Sequence, residues 1–203
     1  MMAMNMEPLI ANLKAIVRQK MRSLEGTAHS FKHVQRVTRI AVFLAQKEGA
    51  DIELVRVAAL LHDVGRSVGQ PHNKTGAELA CQILKGLNYP EERSAKTVRI
   101  VLLHPVDFRD RLETLEEKIV WDADKIDLLG AVGVARGFHW LGKKPFEETV
   151  KLAYETYTPI YAMLNTETAK RIAKRRHEET MAFLSVLKSE LSLADLGIAQ
   201  ESV

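Results

Sequence analysis

Three observations predict an all-α fold. Apolar residues recur at spacings of three and four along most of the chain, which is the helical period. No stretch alternates apolar and polar residues as a half-buried strand requires. Glycine and proline punctuate the periodic stretches at Gly26, Gly49, Pro90 and Pro105. The chain has 203 residues, 46% of them hydrophobic and only 6% aromatic, so one domain with an aliphatic core is expected. No Pro/Gly/Ser linker, repeat or low-complexity segment divides it. The expected single domain covers residues 1–192, with a polar tail over 193–203.

Taken in order, Leu9, Leu13, Ile16 and Val17 open a first helix that runs out near Gly26. A second covers 31–48, with Val34, Val37, Ile40, Ala41 and Leu44 on one stripe. Asp51 is a natural cap for a third, which carries Ile52, Val55, Ala58, Ala59 and Leu61 and stops at Gly65. Thr75 starts a fourth that ends at Gly86, and a fifth covers 91–104 before Pro105 breaks it. Residues 105–113 are charged and poorly periodic, the pattern of a loop. Helices follow over 116–129 and 131–141, and two long amphipathic ones over 147–164 and 166–191.

Composition removes several function classes. No stretch approaches the ~20 apolar residues that span a bilayer. Residues 1–12 lack the pattern of a secretory signal, and the single cysteine, Cys81, allows no internal disulfide. A reducing, cytoplasmic setting is expected. The net charge of +3 makes no case for a nucleic-acid binder. The basic run Lys170, Arg171, Lys174, Arg175 and Arg176 is flanked by Glu167, Glu178 and Glu179, as on a solvated, salt-bridged helix face. Cys81 falls on an apolar stripe and is expected in the core, and His177 at the surface. Gly130, Gly133 and Gly137 follow no strand, so close helix packing explains them better than a dinucleotide fingerprint. His139 and Trp140 either line a pocket mouth or pack in the core.

Chemistry concentrates in Leu60-Leu61-His62-Asp63-Val64-Gly65-Arg66, where an apolar helix ends in two metal-capable side chains. A costly polar pair at the end of an apolar run demands a partner. His33 lies inside another amphipathic helix, and Asp122, Asp124 and Asp127 fall together in an otherwise apolar one. Three acids so close repel one another unless a cation or donors neutralise them. Two imidazoles and two carboxylates make a mixed N/O site that suits Mn²⁺, Fe²⁺, Co²⁺ or Ni²⁺, and also Mg²⁺. A divalent cation in such a site lowers the pKa of its water and generates a nucleophile for hydrolysis.

His33, His62-Asp63 and Asp124, in that order, resemble the H…HD…D signature of the HD-domain metal-dependent phosphohydrolases. The stretches His33-Val-Gln-Arg-Val, Ala58-Ala-Leu-Leu-His-Asp-Val-Gly-Arg66, His72-Asn-Lys-Thr-Gly-Ala-Glu and Asp122-Ala-Asp-Lys-Ile-Asp-Leu-Leu-Gly130 are similar to a small bacterial and archaeal subgroup with pyrophosphohydrolase-like members. The similarity covers roughly residues 25–140, with the C-terminal helices, residues 146–191, beyond it. It implies an HD-domain-like helical bundle holding one divalent metal, Mn²⁺ favoured, through His33, His62, Asp63 and Asp124. The choice of Asp124 over Asp122 follows the family pattern. Spacing alone leaves it open.

Further roles are assigned around that signature. Arg66 is a candidate phosphate clamp, with a solvated helix-end arginine the alternative. Lys125 is a second substrate-binding candidate, weighed against an ion pair with Asp122 or Asp127. Asp127 is expected to orient water or a ligating histidine. His72 and His104 are expected on the substrate side, donating to phosphate or a leaving group; in some family members two such histidines hold a second metal. His29, one turn before His33, either faces the site or caps the helix. The expected activity is hydrolysis of a nucleotide or similar small phosphorylated metabolite, with nucleoside triphosphate pyrophosphohydrolase leading. A nucleoside 5'-monophosphatase and a non-catalytic metal- or nucleotide-binding sensor are the alternatives. The long C-terminal helices could serve a homodimer.

Overall fold

The protein is described by a computed structural model over residues 6–142 and 144–198, and every regular element among them is helical. Helix α1 (Met6–Lys20) passes into a 3₁₀ turn, Met21–Leu24, rather than running on to Gly26. Then come α2 (Phe31–Glu48), α3 (Ile52–Leu61), α4 (His72–Gly86) and α5 (Glu91–Leu103). They are followed by α6 (Leu115–Leu128), α7 (Gly130–Leu141), α8 (Phe146–Met163) and α9 (Glu167–Leu191). No described helix is long and apolar enough to cross a membrane.

Local chemistry sets the boundaries. Asp51 Oδ1 accepts from Leu54 N at 2.9 Å and caps α3, as expected. Thr114 and Glu117 form a reciprocal capping box that starts α6, and Thr166 Oγ1 accepts from Ala169 N to start α9. Helix α4 begins at His72, one turn earlier than Thr75. The loop expected over 105–113 contains a 3₁₀ segment, Val106–Arg111. Within the expected tail, Ala194–Leu196 makes one 3₁₀ turn, and residues 199–203 lie outside the described range.

Helix α3 is buried on nearly every side, the state an all-round apolar helix must adopt. Its Val55, Ala58 and Ala59 join one core with Val37 and Ala41 of α2, Ile119 and Ile126 of α6, and Ala169 and Ala173 of α9. Its Val57, Leu60 and Leu61 join a second core with Leu13 and Val17 of α1, Leu84 of α4 and Val101 of α5. Burying each such leucine contributes ~1.5–3 kcal/mol. A helix clamped between two cores holds its C-terminal end rigidly. That end carries His62 and Asp63.

Two assignments are corrected here. Cys81 is exposed, because the buried stripe of α4 runs through Asn73, Gly76, Ala77, Ala80, Ile83 and Leu84 and leaves position 81 on the far side. His177 is half-buried, its ring stacked on Tyr161 with centroids 4.6 Å apart, since α8 covers that side of α9. The basic run behaves as expected where Lys170 pairs with Glu167 and Arg175 with Glu179. Arg176 departs from it, packing over Gly130 and donating to the Ile126 carbonyl.

Candidate metal centre

Helices α2, α3 and α6 bring the four signature residues to one point. His33 Nε2 lies 3.3 Å from His62 Nε2, 3.5 Å from Asp63 Oδ2 and 3.4 Å from Asp124 Oδ1. His62 Nε2 is 3.7 Å from Asp63 Oδ2 and 3.9 Å from Asp124 Oδ1. Donor atoms roughly 2.0–2.2 Å from a common divalent ion stand roughly 3–4 Å apart, and His33, His62 and Asp124 form a group able to hold an ion, with Asp63 Oδ2 beside both imidazole nitrogens. Asp63 Oδ2 is buried without a hydrogen-bond partner, a cost that a cation removes.

The imidazoles are held from behind. His62 Nδ1 lies 2.8 Å from the Ala59 carbonyl and His104 Nδ1 lies 2.7 Å from the Val101 carbonyl. A carbonyl only accepts, so both Nδ1 atoms donate and turn the Nε2 lone pairs outward. His33 Nδ1 sits 2.7 Å from Asp127 Oδ2. Asp127 also receives Arg36 Nε at 2.7 Å, Arg36 Nη2 at 3.0 Å and Arg136 Nη1 at 2.6 Å. Of the two roles offered to Asp127, orienting a histidine is the one this geometry supports.

Charge follows the geometry. Burial opposes a proton on His33, yet hydrogen bonds to Asp124, Asp127 and Asp63 raise its pKa from 6.5 to about 10. Burial lowers His62 and His72 to about 4 and His29 to about 3. Burial resists ionisation of Asp63 and Asp124, but His62 and Arg66 beside the former and Lys125 and His33 beside the latter hold both well below the usual carboxylate range.

Asp63 faces two ways. Its Oδ1 accepts from Arg66 Nε at 2.6 Å and lies 3.4 Å from His104 Nε2 and 3.8 Å from His72 Nε2. The two histidine Nε2 atoms are 3.2 Å apart, so Asp63, His72 and His104 form a second group able to hold an ion. Gly65 makes this approach possible: a Cβ there would meet the His72 carbonyl oxygen at 2.0 Å.

Lys125 pairs with neither Asp122 nor Asp127. It donates to Asp124 Oδ2 and, at 3.3 Å, to the His104 carbonyl. Asp122 lies on another face of α6, where it accepts from Asn165 and Thr166 and locks the α8–α9 junction. His29 stands half-buried beside His33, and the α2 cap is Ser30. A cavity of about 350 Å³ opens from Asp124 and Lys125 past His29, Arg66 and Arg136 to Trp140. His139 is exposed and takes no part in that wall.

Sequence reasoning missed Arg36 and Arg136. Arg36 was detectable, because it sits three residues after His33 and hence on the same helix face. Arg136 reaches Asp127 from α7 across the turn at Gly130, and no periodic signal crosses such a turn.

Known proteins share this fold. A family model for the HD domain matches residues 30–129. The YpgQ protein of Bacillus subtilis (strain 168) is 29% identical over 180 residues, covering 82% of this chain and 86% of YpgQ. Its crystal structure aligns with a TM-score of 0.71 at 26% identity, over 89% of this chain and 96% of that one. A further YpgQ structure, in complex with ADP, aligns with a TM-score of 0.73 at 24% identity, over 89% and 94%. An HD-superfamily hydrolase from Bacillus thuringiensis aligns with a TM-score of 0.70 at 26% identity, over 92% and 98%. Ligand geometry and kinship agree, and the chain belongs to the HD-domain superfamily of metal-dependent phosphohydrolases.

Proposed function

We propose that the chain hydrolyses nucleotides at a phosphoanhydride bond, converting a nucleoside triphosphate to the monophosphate and pyrophosphate. The carrying observation is the cavity that joins Asp124 and Lys125 to two further cations, Arg66 and Arg136, and to an aromatic wall. The YpgQ complex with ADP supports a nucleotide-sized occupant. When bound through His33, His62, Asp63 and Asp124, a divalent cation, Mn²⁺ by preference, supplies Lewis acidity and a hydroxide nucleophile.

The chain's own side chains handle the phosphate. The forked guanidinium of Arg66 and the ammonium of Lys125 neutralise its oxygens at the cavity floor. His72 and His104 flank Asp63 Oδ1 on the Arg66 side, placed to face the phosphate chain and the leaving oxygen. Asp127 fixes the His33 ring and with it the direction of Nε2. A second reading follows from the spacing of Asp63, His72 and His104, which could hold a second cation. Cation stoichiometry per chain decides between the two. A cytoplasmic homodimer belongs to the same proposal, supported by the exposed apolar side chains Phe183 and Val186 on α9.

The test is product analysis from nucleoside tri-, di- and monophosphates with Mn²⁺, Mg²⁺, Co²⁺ or Ni²⁺. Pyrophosphate from triphosphates supports the proposal. Phosphate from monophosphates makes the protein a 5'-monophosphatase, and cation-bound protein without turnover makes it a sensor.

A further inference from the structure

We propose that Trp140 is the stacking platform for the nucleobase and so a specificity-determining residue of this cavity, an inference that rests on the nucleotide reading above. The two tryptophans differ sharply: Trp121 is fully buried, whereas Trp140 is 54% exposed on the cavity wall. A large indole left in water at a pocket rim is a ready anchor for a flat apolar partner.

The surroundings fix the ring. His29 meets the indole edge-to-face with centroids 4.7 Å apart, and the Arg66 guanidinium carbon lies 5.8 Å from the ring centroid. Arg136 and Trp140 are four residues apart on α7 and both line the cavity. Helix α7 is pressed onto α8 at Gly137, where a Cβ would meet Tyr157 Oη at 1.7 Å, and Tyr157 Oη donates to the Gly133 carbonyl at 3.0 Å.

The cavity is thus divided. Asp124, Lys125 and Arg66 form a charged end suited to phosphates, while Leu128, Leu141 and Trp140 supply an apolar, aromatic part. A ligand with an anionic chain at one end and a flat heterocycle at the other matches both. Every nucleobase offers such a π-face, and stacking on an aromatic side chain discriminates nucleotides from bare phosphate compounds.

Tryptophan emission provides the test, with ADP as probe and inorganic pyrophosphate as its base-free counterpart. ADP is expected to quench wild-type emission saturably and to leave the Trp121 emission of Trp140→Phe unchanged. Trp140→Ala is expected to lower the preference for ADP over pyrophosphate by about 5- to 150-fold, and Trp140→Phe by much less. Absence of ADP quenching in the wild type, quenching that persists in Trp140→Phe, or an unchanged preference in Trp140→Ala overturns the proposal. Nucleoside triphosphate turnover by the wild type is scored separately. Turnover without quenching rejects only the platform, whereas quenching without turnover rejects only hydrolysis.

Discussion

His33 Nδ1 lies 2.7 Å from Asp127 Oδ2, and that carboxylate is itself gripped by Arg36 and Arg136. The contact fixes the His33 ring, so that its far nitrogen faces Asp63, Asp124 and His62. Asp127→Asn keeps the shape but removes the charge that fixes the ring. It is expected to weaken Mn²⁺ binding about 10- to 100-fold, measured by titration calorimetry. Unaltered affinity would show that the ring needs no such support.

The proton on His33 competes with the cation. With a folded pKa of about 10, the imidazole is protonated at neutral pH, and it must release that proton to ligate. Cation affinity should therefore rise about tenfold per pH unit as pH climbs toward 10. Calorimetry in buffers of different ionisation enthalpy should register about one proton released at pH 8.

Stability of the cation-free protein carries the same signs. His33 is raised above its unfolded value of 6.5, so its contribution is complete below pH 6.5 and is lost as pH rises through about 10. His62, His72 and His29 are depressed to about 4, 4 and 3, so folding resists their protonation and stability falls as pH drops below 6.5. These four groups together predict a Tm maximum near pH 6.5 in chelator. A Tm that climbed steadily from pH 6.5 to 9 would contradict the assignment of His33.

Asp122 and Asp124, two residues apart, should separate cleanly. Asp122 accepts four hydrogen bonds from Asn165 and Thr166, so Asp122→Ala is expected to cost about 2–4 kcal/mol of stability while the folded protein still binds Mn²⁺. Asp124→Ala is expected to abolish cation binding. Chemical denaturation and equilibrium dialysis on the pair would expose the opposite outcome if the ligand were Asp122.

Gly65→Ala places a methyl group 2.0 Å from the His72 carbonyl oxygen and 2.4 Å from Gly76 N. Both neighbours are backbone, so the turn after Asp63 must move. A loss of about 3 kcal/mol is expected, read as a lower midpoint in urea. A neutral result would mean that α4 has freedom to shift.

Much of this was legible in the sequence. The periodic stripes of α2 and α6 placed those helices to within a residue, the Asp51 cap placed the start of α3 but not its end at Leu61, and the order His33, His62-Asp63, Asp124 singled out four side chains that come together. What stayed hidden lay between elements rather than within them. Arg136 meets Asp127 only because α7 folds back after Gly130, and Lys125 turns to Asp124 because Asp122 is engaged with Asn165 and Thr166. Cys81 shows the limit of stripe reading: one position, about 100° around the helix, separates it from buried Ala80. The 3₁₀ segments at Val64–Ser67 and Val106–Arg111 carry no period to detect.

The most direct test of the central claim is pyrophosphate release from nucleoside triphosphates by chelator-treated protein, before and after Mn²⁺ is restored, beside Asp63→Ala treated identically. The account predicts release that is absent in chelator, returns with Mn²⁺ and stays absent in Asp63→Ala. Equal release by Asp63→Ala, or by the wild type without a cation, would contradict it.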